Sequence, residues 1–166
     1  MAVRPVLQIP DRVLSAPAAP VGRIDEAARA LAVDLLETMR SSPACVGLAA
    51  PQIGVARRAF AVDVSGHKKA VSCHGEFVLF DPELVSADAP ELAREGCMSV
   101  PDLTVDVMRS TRVSVAGTTP DGERMVIDTD AFEARAVLHE IDHLDGFVIL
   151  DRAAGPHAVF TRKVYR

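Results

Sequence analysis

Residues 137–149, VLHEIDHLDGFVI, carry side chains whose types and spacing could do chemistry. His139 and His143 are four positions apart. In an α-helix such residues lie one above the other on the same face, so both imidazoles can reach one divalent metal ion. Glu140 follows the first histidine and can lean over that ion without binding it. The H-E-x-x-H pattern therefore predicts a metal-held water with a general base beside it.

A second interpretation of this helix involves no chemistry. An amphipathic helix can carry two histidines on its polar side while Val137, Ile141 and Leu144 are buried. Two histidines and a glutamate do not complete a site in any case. A catalytic metal centre needs a third protein ligand and keeps one position open.

The third ligand is not supplied by the sequence that follows. Gly146 fits the longer motif of one protease class, but Ile149 stands where that motif needs a histidine. No glutamate follows Glu140. Asp145 and Asp151 are available, although Asp145 falls on a different helical face. We therefore expect the third ligand to lie upstream.

Cys97 is the upstream candidate, within the segment REGCMSVPD at residues 94–102. Two neutral imidazoles and one thiolate would leave a divalent ion with a net charge of about +1, which acidifies bound water. Cys97 could instead be a small buried apolar residue. Cys73 and His74 are a weaker metal-binding pair, since adjacent residues seldom form one site together.

The elements that must position these residues follow from periodicity and turn signals. Residues 25–41 are predicted to form an amphipathic helix with Asp25 as its N-cap, and a second helix should run from about residue 131 to 145. Four prolines keep residues 1–22 extended. The predicted strands lie at 59–64, 77–80, 84–87 and 147–150, with a hairpin over 104–129. We expect one α+β domain over residues 1–166, in which small mixed or antiparallel sheets pack around the central metal-binding helix.

Composition limits the partners and the compartment. The 166 residues are 49% hydrophobic and 25% charged, as in soluble globular proteins, and no apolar run is long enough to predict a membrane span. A net charge of −5 argues against DNA as a principal partner. Arg162, Lys163 and Arg166 form a small basic end, either solvated or able to dock weakly on RNA. Three cysteines and the lack of an apolar leader segment suggest a reducing cytoplasm.

Three separated stretches resemble one family. GLAAPQ, EGCMS and HEIDH with the trailing LDG are similar, in order and approximate spacing, to the three signature motifs of the peptide deformylases. The resemblance extends to the opening residues and to the segment VPDLTVDVMRSTRVSVAG, so it covers nearly the whole chain. It implies a metal-dependent hydrolase of protein biosynthesis that removes the N-formyl group from the N-terminal formyl-methionine of newly made polypeptides and releases formate.

The resemblance also implies roles for individual residues. Cys97, His139 and His143 would hold one divalent metal, typically Fe²⁺, with Zn²⁺, Ni²⁺ or Co²⁺ as alternatives. Glu140 would act as general base and acid. The oxyanion donors would be the Gln52 side-chain amide and the backbone N–H of Met98. Gly47 and Leu48 would border the substrate backbone as an edge to which it adds a strand. Val137 and Ile141 are candidate walls of the methionine pocket.

Some positions differ from the family pattern, and some rival functions stay open. Leu138 stands where glutamine is common, Cys45 where glycine is frequent, and Asp102 likewise. These changes bear on rate and substrate preference more than on the reaction. The rivals are a small zinc protease, a deformylase-like binding module, and the same chemistry on another formylated substrate. The expected partners are formyl-methionyl nascent polypeptides and, transiently, the ribosome, with the chain acting as a monomer.

Overall fold

The computed structural model describes residues 2–162. The predicted α+β class is confirmed, with two α-helices and one six-stranded sheet in this part of the chain. The helices are α1 (Glu26–Ser41) and α2 (Ala131–Leu144). The strands are β1 (Gly47–Ala49), β2 (Ala59–Val62), β3 (Phe77–Cys97), β4 (Val100–Thr118), β5 (Arg124–Asp130) and β6 (Val159–Thr161). Three short 3-10 helices lie at Arg12–Ser15, Ala50–Ile53 and Ile149–Arg152.

The sequence predicts several small sheets, but the described strands form a single sheet. Strands β1 to β5 are hydrogen-bonded in that order, β6 pairs with β4, and every one of these pairings is antiparallel. Strand β1 has one strand neighbour among the described residues and therefore forms an edge of the sheet. This edge carries Gly47 and Leu48.

The hairpin of β3 and β4 is longer than predicted. Its pairing runs from Phe80 opposite Thr118 to Cys97 opposite Val100. The predicted strands 77–80 and 84–87 are parts of β3, joined through a register shift that contains Pro82. Proline cannot donate to a strand ladder but is tolerated at such an irregularity, so it marks a bulge here and not an end. The predicted hairpin over 104–129 is present, because β4 and β5 pair in antiparallel fashion across this segment.

Strand β2 contributes side chains to two hydrophobic clusters, one on each face of the sheet. Its side chains are all fully buried. Ala59 and Ala61 contribute to the cluster that includes α1, whereas Phe60 and Val62 contribute to the cluster that includes α2. Successive strand side chains point to opposite faces. The two helices therefore cover opposite faces of this part of the sheet.

Helix α1 has the cap expected from the sequence. The Asp25 side chain accepts a hydrogen bond from the Ala28 backbone N–H at 3.0 Å, and the helix runs from Glu26. Such a bond satisfies one of the donors that a helix start leaves unpaired. Leu31, Leu35 and Met39 lie on its buried side.

The N-terminal segment is held against the rest of the molecule by backbone hydrogen bonds. The Leu7 N–H donates to the Gln52 carbonyl at 2.7 Å, and the Ile9 N–H donates to the Ser99 carbonyl at 3.0 Å. The Ala2 backbone N–H and the Arg4 side chain donate to the Asp34 side chain on α1. The segment thus connects α1, the 3-10 helix Ala50–Ile53 and the turn between β3 and β4.

The C-terminal prediction was wrong in one respect. Residues 147–150 do not form a strand, because Phe147 and Val148 lie in a loop and Ile149–Arg152 forms a 3-10 helix. Four apolar residues predict burial equally well in a strand and in a turn. The strand that does follow is β6, beyond this segment.

The basic end predicted from the sequence is described only in part. Lys163 and Arg166 lie outside the described residues, whereas Arg162 lies within them. Within residues 2–162, neither helix combines the length and apolar content needed to cross a bilayer.

Candidate metal centre

Helix α2 presents His139 and His143 side by side. Their ring centroids are 5.0 Å apart, as expected for residues four apart on one helical face. His143 is 1% exposed. Burial lowers the pKa of His143 well below its ordinary value, and the charge on His139 lowers it further. His143 is therefore neutral, which is the form that binds a metal.

Cys97 is the last residue of β3, and its sulfur lies beside the two histidine rings. Its Sγ atom is 3.4 Å from Nε2 of His143. One ligand atom from each of Cys97, His139 and His143 lies within 4.8 Å of the other two, and among the described residues no other group of this kind is found. A soft sulfur and two imidazole nitrogens are a donor set that suits Zn²⁺ or another divalent transition metal. The residues present thus fit the cation that the sequence predicts.

A proton on His139 competes with a cation for this position. Burial lowers the pKa of His139, but the hydrogen bond and charge of Cys97, together with Glu95, outweigh it and raise the pKa well above the ordinary value. A cation bound through this ring has to displace that proton.

Glu140 lies between the histidines and β1. It is 3% exposed, and its Oε2 atom has no hydrogen-bond partner among the described residues. Burial raises the pKa of Glu140 to about 7. A buried carboxylate oxygen without a partner is costly, and such atoms recur where a group serves a ligand or a reaction. A pKa near neutral lets the carboxyl both accept and return a proton.

Gln52 is held beside the sulfur by its own turn. It lies in the 3-10 helix Ala50–Ile53, where its Oε1 atom accepts from the Ala49 N–H at 3.0 Å. This bond directs Nε2 towards Ser99 Oγ at 3.0 Å and Cys97 Sγ at 3.6 Å. Met98, the other predicted oxyanion donor, lines the same cavity as Gln52.

The predicted substrate-binding residues differ in what they present. Gly47 lines a pocket of about 470 Å³, which we call the site pocket. A Cβ atom at position 47 would lie 2.6 Å from Glu140 Oε1, so only glycine allows this approach. The Leu48 side chain is fully buried in the core. Leu48 could therefore meet a substrate only through its backbone.

The site pocket extends from the metal-binding residues along the N-terminal half of α2. Phe132, Ala136 and Ala93 line it there. Val137 and Ile141, expected as its walls, pack instead into the core cluster shared with β2. The face of α2 that lines the pocket carries residues 132, 136, 139 and 140, so residues 137 and 141 point towards the core.

Glu95 was missed from the sequence. Its carboxylate receives hydrogen bonds from His139 Nδ1 at 3.0 Å, from Arg109 Nε at 2.7 Å and from Arg135 at 3.1 Å. Burial raises the pKa of Glu95, but the bonds from His139 and Arg109 outweigh burial and lower it to about 2. A carboxylate on Nδ1 fixes the ring so that Nε2 faces the metal position. Its place two residues before Cys97 was the available signal.

Arg109 extends this network to the next turn of α2. Its Nη1 atom donates to Asp142 at 2.8 Å, and Arg152 donates to the same carboxylate at 3.1 Å. Both Arg109 and Asp142 are buried. The hydrogen bonds therefore lock β3, β4 and α2 together directly behind His139.

Other candidates from the sequence are used elsewhere. His74 binds the buried carboxylate of Glu133, and Cys73 is exposed. Asp145 pairs with Arg58 at 3.0 Å. The Asp151 side chain accepts a backbone N–H within its own turn. These roles explain why none of them joins Cys97.

Leu138 packs against the apolar cluster of α2 and does not line the site pocket. The departure from the usual glutamine therefore places an apolar side chain against an apolar surface.

The chain is similar to known proteins over most of its length. Residues 3–158 match the family described as polypeptide deformylase. A peptide deformylase of Desulforudis audaxviator is 42% identical over 164 residues, which is 98% of this chain and 99% of the relative. The structure of the Ehrlichia chaffeensis peptide deformylase in complex with actinonin matches with a TM-score of 0.86 and 31% identity, covering 93% of this chain and 90% of that one. A Met-Ala-Ser-bound peptide deformylase from Acinetobacter baumannii matches with a TM-score of 0.81 and 30% identity, covering 91% and 98%.

Proposed function

This chain belongs to the polypeptide deformylase family, and on that premise we propose how its residues remove the formyl group from the N-terminal methionine of newly made polypeptides. The enzyme is a metallohydrolase that cleaves the formamide C–N bond and releases formate. The observation that carries the proposal is the convergence of Cys97, His139 and His143 beside the buried Glu140.

Cys97, His139 and His143 would hold the metal. A divalent ion at this position would supply Lewis-acid chemistry, polarising the formyl carbonyl and making water more acidic. We propose Fe²⁺, with Zn²⁺, Ni²⁺ and Co²⁺ as alternatives. The support is the family resemblance together with a donor set that all four ions accept.

Glu140 would move the proton. It takes a proton from the attacking water, whose oxygen bonds to the formyl carbon, and it later delivers a proton to the departing amine nitrogen as the C–N bond breaks. Its pKa of about 7 suits both steps. The unpartnered Oε2 atom leaves a free acceptor for the first of them.

Gln52 and Met98 would stabilise the oxygen of the formyl carbonyl as it gains negative charge. Gln52 Nε2 already lies 3.6 Å from the proposed sulfur ligand, and the Met98 backbone follows that ligand directly. Donors fixed before the reaction cost no reorganisation when charge develops.

The substrate peptide would add a strand to the edge of the sheet. Strand β1 offers Gly47 and Leu48 at that edge, and pairing through the backbone tolerates many sequences. The methionine side chain would occupy the site pocket beside Ala136 and Phe132.

The remaining proposals concern the whole chain. We propose a single catalytic domain over residues 1–166 that acts as a monomer on nascent chains and contacts the ribosome transiently. A reducing cytoplasm suits its three free cysteines.

The decisive test is formate release from a formyl-Met-Ala-Ser peptide by anaerobically purified enzyme, with metal analysis of the same sample. Glu140→Gln should keep its metal and lose roughly 10²- to 10⁴-fold in turnover, since a general base is removed. Full activity in Glu140→Gln, or no formate from the metal-loaded wild type, would contradict the mechanism. Cleavage of unformylated casein would instead support a protease.

A further inference from the structure

Arg162 borders the site pocket at the end of the described chain. Its backbone N–H donates to the Asp102 carbonyl at 2.9 Å, directly after β6 pairs with β4. The Arg162 side chain lines the pocket together with Cys97 and Glu140. The residue is therefore anchored at its backbone and faces the site with its charge.

The Arg162 guanidinium lies over Gly96. Its Nη2 atom is 3.5 Å from the Cys97 carbonyl and 3.4 Å from the Leu103 carbonyl. A Cβ atom at position 96 would lie 2.5 Å from Nη2. Glycine at this position lets the cation approach the residue next to a proposed metal ligand.

The hydrogen-bonding capacity of Arg162 is barely used. Both contacts are long and go to neutral carbonyls, whereas a guanidinium has five N–H donors. Two other arginines that line the pocket have carboxylate partners, Arg94 with Asp106 and Arg135 with Glu95. Within residues 2–162, the partners of the Arg162 guanidinium are carbonyl oxygens, and neither carries a charge.

The expected course of the substrate leads to this cation. This step rests on the proposed function, in which the formyl group meets Cys97 and the histidines. Gly47 and Gly96 line the same pocket and leave room for a peptide backbone. An extended chain advances about 3.3 Å per residue, so a peptide passing Gly96 reaches Arg162 within its first few residues.

We propose that Arg162 is a specificity-determining residue that pairs with a substrate carboxylate within about three residues of the formylated methionine. A planar guanidinium binds a carboxylate through two parallel hydrogen bonds, which a neutral amide cannot reproduce. The carboxylate has two sources. It is an acidic side chain in a long polypeptide or the terminal carboxylate of a short peptide.

Four formylated peptides separate these sources. They are formyl-Met-Ala-Ser with a free carboxylate, its C-terminal amide, and the amides of formyl-Met-Ala-Asp and formyl-Met-Ala-Asn. For the metal-loaded wild type we expect kcat/KM to favour the acid in at least one of the two matched pairs by about tenfold, mainly through KM, as for one charge-assisted contact. In Arg162→Gln this ratio should fall to about one, and Arg162→Lys should restore part of it.

Lys69→Gln is the matched control. Lys69 also lines the pocket, but its neighbour His67 stacks on Phe132, which lies seven residues before His139 on α2. This is about 10 Å along the helix axis from the metal-binding rings. The substitution removes the same charge at the opposite end, so the acid-to-amide ratio should stay at the wild-type value.

Three results would overturn the role of Arg162. They are ratios near one for both pairs in the wild type, a wild-type ratio retained in Arg162→Gln, and an equal loss of the ratio in Lys69→Gln. If the wild type releases no formate from any peptide, the deformylase mechanism itself fails. Calorimetric binding of Met-Ala-Ser and its amide to wild type and Arg162→Gln then decides the role of Arg162 independently, because it requires no turnover.

Discussion

At the scale of single residues, the position of Glu140 depends on the absence of a side chain at Gly47. A Cβ atom there would lie 2.6 Å from Oε1 and 3.0 Å from Cδ of the carboxylate. Real Cβ atoms do not approach other atoms so closely, and thus the general base could not keep its place beside a larger residue. The glycine that opens the peptide edge also makes room for the proton carrier.

Gly47→Ala should therefore lower turnover sharply while leaving the metal bound. A displacement of about 1 Å in a reacting group costs on the order of 10²-fold in rate. Formate release and metal content, measured on one preparation, check this. Gly155→Ala is the control, because a Cβ there would meet nothing within 4 Å. Equal rates in the two variants would show that Glu140 tolerates the methyl group.

Cys97→Ala should lose the metal itself. Two imidazoles alone hold a divalent ion much less tightly than two imidazoles and a thiolate. Metal analysis after dialysis measures the occupancy, with the exposed Cys73→Ala as the control. A Cys97→Ala protein with a full complement of metal would rule out the sulfur as a ligand.

The sequence was informative about these residues because helical spacing is local. His139, Glu140 and His143 follow from one motif, and Cys97 and Gln52 do lie beside them, although their chemical roles stay predictions. The carboxylate network behind the site could not be predicted. Nothing in a single sequence says which of 23 acidic side chains meets which of 18 basic ones across a fold.

At the scale of elements, α1 is coupled to the N-terminal segment through Asp34. This buried carboxylate accepts from the Ala2 N–H at 2.9 Å and from two nitrogens of Arg4 at 3.0 and 3.1 Å. Burial raises the pKa of Asp34, but these bonds outweigh it, and the net pKa is lower than the ordinary value of 3.8. The charged form is therefore the one that stabilises folding.

Asp34→Asn should destabilise the protein in a pH-dependent way. Because the folded-state pKa is the lower one, the contribution is fully present above the unfolded pKa of about 4 and is lost as pH falls through the folded value. Denaturant unfolding at pH 7 and at pH 3 should show a stability difference from wild type that shrinks in acid. The exposed Asp121→Asn serves as the control. A difference that grew in acid would contradict the direction of the pKa shift.

Elements were predictable where the pattern was long. The bounds of α1 and α2 follow from periodicity over four turns and from their flanking residues. The misassigned segments are short or irregular. Pro82 suggested a break where the strand only bulges, and residues 147–150 were too few to distinguish a strand from a buried turn.

At the scale of the whole molecule, one buried network joins the hairpin to the metal-binding helix. Glu95 on β3, Arg109 on β4 and Asp142 on α2 are linked in series. The Arg109 side chain is 5% exposed. Removing one member of such a series leaves an uncompensated buried charge.

Arg109→Met should consequently cost roughly 3 kcal/mol of folding free energy, the lower end for a broken buried pair, because Glu95 and Asp142 lose the cation that they share but keep Arg135 and Arg152. Chemical or thermal unfolding measures the loss. Arg112→Met breaks the exposed pair with Asp88 on the same hairpin and should cost less than about 1 kcal/mol. Similar stabilities for the two variants would mean that the buried network contributes little.

The hydrogen bonds from Leu7 and Ile9 to the carbonyls of Gln52 and Ser99 have a consequence for how the enzyme matures. The turns that carry the proposed oxyanion donors are supported by residues that lie far from them in the sequence. Leu7 gains its partner only after position 52 has been synthesised, and Ile9 only after position 99. A newly made copy would thus become competent only after Leu7 and Ile9 fold back against the middle of the chain.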